Sequence, residues 1–200
     1  MPLSLQLGTP RLILRPVRDS DRAPFAAMNA DPLVMTYFAS TMTPEESDAA
    51  LARFEAAYDR DGFGFFTAEL RSTGAFAGII GAQTMRDAVP NLPQPAIEIG
   101  WRLPRAFHGQ GLATEGAQAT VAFCFNQLNL PEVVAVTALG NKASRRVMEK
   151  LGMTHRPDLD FDHPRVPAGH PHVRHTLYQL RNPTSTPHQP ASSQELAAKS

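Results

Sequence analysis

The feature that most constrains this chain is a glycine-rich turn running straight into a helix, His108-Gly109-Gln110-Gly111-Leu112-Ala113-Thr114-Glu115. A helix start leaves its first N–H groups without partners, and the helix dipole adds partial positive charge at the same spot. An anion, most simply a phosphate, fits there. A second segment, Asn141-Lys142-Ala143-Ser144, opens another helix that closes on Met148-Glu149-Lys150-Leu151-Gly152-Met153. Its small polar residues could reach the same ligand.

Of two competing meanings of the glycine turn, one is excluded on sequence grounds and the other is the inferior reading. A Walker loop needs Gly-Lys-Ser/Thr, which does not occur. A dinucleotide fold is nearer, since Gly109-x-Gly111-x-x-Thr114 approaches Gly-x-Gly-x-x-Gly and Glu132 lies downstream, but the third glycine and a second βαβ half are missing. Taken alone, the two glycines also suit a tight turn with no ligand.

The remaining classes are bounded by composition. The 200 residues suit one compact domain, and 19 Lys plus Arg balance 19 Asp plus Glu. A nucleic-acid or anionic-membrane surface would need a basic excess, so neither is expected as a partner. Cys124 is the only cysteine, which excludes an internal disulfide and a Cys-rich zinc site. The N-terminus does not read as a secretory signal, and no run approaches the roughly 18 apolar residues of a membrane span. The expectation is a soluble, cytoplasmic protein.

Periodicity places strands at 12–17, 63–71, 75–85, 96–103, 133–138 and 173–180, with Ser72-Thr73-Gly74 as a hairpin turn. In the fourth of these, Ile97, Ile99, Trp101 and Leu103 take one face and Glu98 and Arg102 the other. Helices are expected from Phe25 to Asp31, from Thr43 to Tyr58 behind a capping box completed by Glu46, from Ala113 to Leu128, and from Asn141 to Gly152. The stripe Ala113, Ala117, Val121, Cys124, Phe125 and Leu128 marks the third helix. The predicted domain spans 1–182. The Pro-, Ser-, Thr- and Gln-bearing stretch 183–200 is expected to be a disordered tail.

The order strand, glycine turn, helix, strand, helix from Ala96 to Gly152 resembles the acyl-CoA-binding core of the GNAT N-acetyltransferase superfamily. Two motifs carry the likeness. His108 to Ala113 matches the superfamily's Gln/Arg-x-x-Gly-x-Gly/Ala pyrophosphate loop, with His108 departing from the usual Gln or Arg. Asn141 to Met153 matches its Asn-x-x-Ser…Glu-Lys-Leu-Gly-Met/Phe helix. The run Gly-x-Gly-x-Ala-Thr-Glu and the preceding Glu-Ile-Gly-Trp-x-Leu are most similar to the ribosomal-protein-alanine acetyltransferase branch. The resemblance implies an α/β fold with a mixed, mostly antiparallel sheet of about seven strands flanked by about four helices. It also implies acetyl-CoA as donor, no metal, and transfer to a primary amine by direct attack in a ternary complex.

The resemblance assigns roles residue by residue. Leu103, His108, Gly109, Gln110, Gly111, Leu112, Ala113, Thr114, Asn141, Lys142, Ser144 and Arg145 would bind the cofactor, with Lys142, Arg145 and Arg146 the candidates for its 3′-phosphate; a solvated face is the simpler reading of at least one of those three, and Asn141 is an N-cap in either case. Glu98 is the candidate base, directly or through water; the alternative is a sheet-surface glutamate paired with Arg102. Ser144 would donate a hydrogen bond to the leaving sulfur, or merely serve the helix start. Tyr178 is the alternative acid, or a core residue. Cys124, mid-helix on the apolar stripe, is unsuited to an acyl-enzyme.

Five of the seven histidines fall between His155 and His175. With no cysteine near and no rigid ligand-spaced helix, zinc is not expected. Asp158, Asp160 and Asp162 beside Phe161 and His163 suggest an acceptor loop for a cationic amine. Trp101, Asp162, His163 and His175 are the substrate-binding candidates, and a solvated surface loop is the plainer reading. The acceptor could be a protein N-terminus, polyamine, aminoglycoside or amino-acid derivative, and a homodimer is compatible with the sequence. A non-catalytic acyl-CoA-binding sensor on the same fold is the rival reading.

Overall fold

A computed structural model describes residues 5–87 and 89–185. Nine strands form one mixed sheet: β1 (Leu7–Gly8), β2 (Leu12–Arg15), β3 (Phe65–Leu70), β4 (Phe76–Thr84), β5 (Ile97–Arg102), β6 (Glu132–Ala138), β7 (Thr154–His155), β8 (Phe161–Asp162) and β9 (Arg174–Arg181). Their order is β1-β2-β3-β4-β5-β6-β9-β7, with β8 also on β9. Every pairing is antiparallel except β5–β6. The expected class is therefore present. The count of about seven is corrected to nine, because β1, β7 and β8 are two-residue strands too short to show any alternation.

Four helices flank the sheet: α1 (Arg22–Ala30), α2 (Pro44–Asp61), α3 (Leu112–Asn126) and α4 (Lys142–Lys150). The capping box of α2 is formed, with Glu46 N donating to Thr43 Oγ1 and Thr43 N to Glu46 Oε2. Gly62, left-handed at φ 76°, ends that helix. Helix α3 buries Leu112, Gly116, Ala117, Thr120, Phe123 and Cys124. Its buried face is thus turned from the apolar stripe toward small residues. A Cβ on Gly116 would come within 2.5 Å of the Ile80 side chain, so α3 lies directly on β4 only because no side chain intervenes.

Helices α3 and α4 share one face with Leu12, Leu14, Ile80, Ile99, Val133, Met148 and Tyr178. Helices α1 and α2 cover the other face of β3 and β4 through Phe25, Met28, Leu51, Ile79 and Phe65. On that second face of β6 and β9, the cover comes from connecting segments carrying Val89, Leu92, Leu159 and Phe161. Among the described residues, no helix is long and apolar enough to cross a membrane. Residues 183–185, expected in the tail, instead form a turn on Asn182, whose Oδ1 accepts from Thr184 N and Oγ1. The rest of the expected tail, 186–200, lies outside the described residues.

Candidate functional site

The site begins where two strands part. Strands β5 and β6 share a single pairing, Glu98 with Val134, and diverge beyond it. Main-chain groups on the β6-facing edge of β5 after Glu98 therefore have no strand partner. The segment after β5 turns through Arg105–Phe107 into the glycine loop. Gly109 and Gly111 are both left-handed, at φ 72° and 78°, a conformation that penalises any side chain. The first hydrogen bond of α3 is Glu115 N to Gly111 O. Among the described residues, the N–H groups of Gly109 to Thr114 have no partner.

Glu115 locks this loop to the turn between β1 and β2. Its carboxylate accepts from Thr9 Oγ1 at 2.6 Å, Arg11 N at 2.8 Å and Arg11 Nε at 2.6 Å, while Arg11 Nη1 donates to Gln110 O. Burial alone would raise this carboxyl, but the Thr9 and Arg11 hydrogen bonds outweigh it and hold it below its ordinary value. A groove of about 650 Å³ runs past Gly111, Thr114, Gln118, Arg11 and Lys150. The orphaned donors, the left-handed glycines and the groove together fit a diphosphate. Lys150, which the sequence reading placed only in a motif, lines the groove.

His108 does not extend the set of phosphate donors. Its Nε2 lies 2.8 Å from Leu103 O, so the ring ties the loop to the end of β5. Arg145 is likewise turned inward, its Nε donating to Tyr178 Oη at 3.2 Å and Nη1 to Leu139 O. Arg146 pairs with Glu149 on its own helix. Lys142 is exposed beside them. Asn141 is the α4 cap, accepting from Ser144 N at 3.1 Å and donating to Thr137 Oγ1 at 3.0 Å. Ser144 is half-buried at the first turn of α4.

Glu98 points to the face opposite Ile97, Ile99 and Trp101, as alternation requires. It does not pair with Arg102. Four residues along a strand are about 13 Å, too far for an ion pair. Its cross-strand neighbour is Gln83. Desolvation pushes the Glu98 carboxyl up to about 7, against a hydrogen bond from Gln83 and the Arg165 charge, with Asp87 adding to the rise. Some solvent still reaches this side chain, yet the protein mass around the carboxylate dominates.

His163 and His175 join this face. Their rings stand 4.7 Å apart, and the Arg165–Asp87 ion pair acts on both His163 and Glu98. Burial, then the neighbouring His175 and Arg165, pulls His163 down to about 4. Its Nδ1 accepts from Arg165 N, as a neutral ring does. Burial also lowers His175, whose Nδ1 sits 3.1 Å from Val173 O.

Other candidates are placed elsewhere. Trp101 packs on the α3 face, opposite Glu98. Tyr178 is buried on that same face, stacked on His155 at 5.1 Å. The acidic loop is spent internally: Asp158 accepts from Arg156, Asp160 from Leu177 N and faces His155, and Asp162 pairs with Arg174. Each of these aspartates thus has a protein partner, with Asp158 and Asp162 still largely exposed. Cys124 is fully buried and burial pushes its thiol up to about 12, which removes it as a nucleophile.

The sequence reading missed Asn29, Tyr37 and Phe38. They lie on α1 and the segment after it, where no periodic pattern announces a site. Phe38 sits over the Arg102 guanidinium, 4.1 Å from Cζ to the ring centre. Tyr37 meets the His172 ring at 5.2 Å and lies against Gly140, so this segment reaches across the parting of β5 and β6.

Comparison with known proteins agrees with this architecture. A family model described as an acetyltransferase (GNAT) domain matches residues 11–154. Over 157 residues the chain is 34% identical to the protein YkkB of Bacillus subtilis (strain 168), covering 76% of this chain and 87% of that protein. Over 154 residues it is 31% identical to the FsC-acetyl coenzyme A-N(2)-transacetylase of Aspergillus fumigatus, covering 74% of this chain and 65% of the relative. Among solved structures, the acetyltransferase from Agrobacterium tumefaciens str. C58 superposes with a TM-score of 0.72 at 26% identity, over 90% of this chain and 97% of that one. The ribosomal-protein-S5-alanine acetyltransferase from Vibrio fischeri gives 0.70 at 16% identity, over 92% and 100%, a likeness of fold alone.

Proposed function

This chain belongs to the GNAT acetyltransferase family, and on that premise we propose that it moves an acetyl group from acetyl-CoA to a primary amine by direct attack in a ternary complex. The observation that carries the reading is the set of orphaned N–H groups from Gly109 to Thr114, opening beside the gap between β5 and β6. Acetyl-CoA supplies the activated acyl group. The loop amides and the start of α3 bind its diphosphate, and the gap takes the arm. Unpaired main-chain N–H groups at the end of β5, near Leu103, polarise the acyl carbonyl as it gains charge.

Glu98 takes the proton from the attacking amine, through water, as the N–C bond forms and the C–S bond breaks. A carboxyl near 7 has the basicity that neutral-pH proton transfer wants. Ser144, at the first turn of α4, donates a hydrogen bond to the departing thiolate. Tyr178 is held by Arg145 beside the same helix and is the alternative donor. His163 and His175 line the acceptor side as neutral polar groups. The rival, a non-catalytic sensor, needs no base, and the raised Glu98 carboxyl favours the enzyme.

A thermal-shift series with acetyl-CoA, CoA and NAD tests the reading. A ligand at about 100 times its Kd adds roughly 2.7 kcal/mol, which is several degrees for a domain this size. Stabilisation by both CoA species, followed by CoA release on adding amines, is the expected result. A response to NAD alone contradicts it. Tight acetyl-CoA binding without CoA release for any amine favours the sensor.

A further inference from the structure

Arg102 is a desolvated cation with no carboxylate acting on it. Its Nη1 donates to Asn29 Oδ1 at 2.7 Å, and Asn29 is itself fully buried and fixed by Ser47. Its Nε is buried and has no partner among the described residues. One face of the guanidinium is covered by Phe38, a residue itself 38% exposed. One edge is therefore tied, and the edge formed by Nε and Nη2 is uncommitted. That edge grips a carboxylate through two parallel N–H···O bonds. An unmatched buried donor on an unpaired charge is costly, and a structural arginine is ordinarily matched.

The placement is informative. Arg102 immediately precedes Leu103 at the parting of β5 and β6, on the same face as Glu98. The Tyr37-Phe38 segment that covers it bridges the mouth. Positive charge gathers instead toward the Glu98 end of the strand, where Arg86 and Arg165 act on Arg53 and Arg165 is paired with Asp87. The aspartates of the 158–162 loop already have protein partners in Arg156, His155 and Arg174.

We propose that the uncommitted edge of Arg102 anchors a carboxylate on the acceptor, so that the amine accepted is carried by a small amino-acid-like molecule. The proposal rests on the acetyl-transfer reading and names the substrate class of that same site. Since Nε is sealed from solvent, the packing around that edge must open as the acid group enters. Arg102 and Glu98 are about 13 Å apart along the strand. The Phe65 ring stands over Gly100 between them, so the acid end is held at Arg102 beside Leu103 and the amine proton reaches Glu98 through water.

The experiment compares kcat/KM for a panel of α-amino acids against the matching α-amino amides, with saturating acetyl-CoA. The amide amine is the weaker base and is intrinsically favoured at neutral pH, which makes a preference for the acid the stringent outcome. The wild-type protein is expected to prefer the acid by roughly ten- to a hundredfold. In Arg102→Gln that ratio falls to about one, whatever the absolute rate, and Arg102→Lys retains an intermediate ratio. A wild-type ratio of one or less overturns the proposal even if a variant fails to fold. So does a ratio that survives unchanged in Arg102→Gln. Transfer to amides and simple amines but not to acids removes the carboxylate anchor while leaving acetyl transfer standing. No transfer to any amine, despite acetyl-CoA binding, removes both.

Discussion

Two arginines withdrawn from bulk water sit on this sheet in opposite circumstances, Arg15 buried and Arg102 half-buried. Arg15, on β2, is 4% exposed and fully matched: Nη1 and Nη2 donate to Asp21 at 2.7 and 3.0 Å, and Nε donates to Glu69 at 2.6 Å. Asp21 also accepts from Arg18 N and Thr67 Oγ1. Burial would raise the Asp21 carboxyl, but those hydrogen bonds and the Arg15 charge outweigh it and hold it low. On β5, neither Arg102 nor Glu98 has an ion-pair partner among the described residues, and desolvation drives both toward neutrality, Arg102 down to about 10 and Glu98, despite the Arg165 charge, up to about 7. A matched cluster binds β2, β3 and the entry to α1 together. An unmatched pair is charge held in reserve for something that arrives.

The contrast is sharpened by substitutions that separate stability from activity. Asp21→Asn should show the largest effect on folding, about 3–5 kcal/mol, because it leaves Arg15 short of a counter-charge. Chemical denaturation reads it directly. Asp21 also gives acid sensitivity: with its folded value below the unfolded one, its stabilisation is present above the ordinary carboxylate range and lost as pH falls through it. A wild-type stability curve flat down to pH 3 breaks this side of the comparison.

Glu98→Gln should spare folding and lower kcat by roughly a hundredfold or more. In the wild-type protein, kcat/KM should rise with pH to a plateau above about 7, and the variant should lose that rise. The sign for stability is opposite to that for Asp21. A carboxyl raised from 4.5 to about 7 stabilises the fold while protonated, and this contribution fades as pH climbs across that interval. An unchanged pH–rate profile in Glu98→Gln rejects the base.

Gly111→Ala should raise the acetyl-CoA Kd about tenfold, since a side chain at φ 78° distorts the amide cradle by about 1–2 kcal/mol. Calorimetric titration measures it. The smallest stability change is expected for Arg102→Gln, within about 1 kcal/mol, because losing one hydrogen bond is offset by removing a desolvated charge and an orphaned donor. A loss as large as that of Asp21→Asn would make Arg102 a structural arginine after all.

Long strands and capped helices were legible because they repeat. The alternation at Ile97, Ile99 and Trp101 put Glu98 and Arg102 on one face, and Thr43 with Glu46 marked the start of α2. The glycine loop was legible because two glycines must stand where φ is positive. What stayed hidden depends on non-local contacts. The buried side of α3 follows the close approach of Gly116 to Ile80, so counting apolar residues misplaced it. The aspartates of 158–162 read as an open acidic surface, although Arg174 and Leu177 on β9 neutralise or occupy two of them. Phe38 and Asn29 come to Arg102 from 64 and 73 positions away, a meeting no local pattern encodes.

The most direct measurement is an amide-resolved NMR titration of the protein with acetyl-CoA. The largest shifts at saturation should fall on the amides of Gly109 to Thr114, with a second group along the end of β5 at Arg102 and Leu103. Saturable binding that leaves the 109–114 amides unmoved, with the shifts centred elsewhere, would contradict the account at its root.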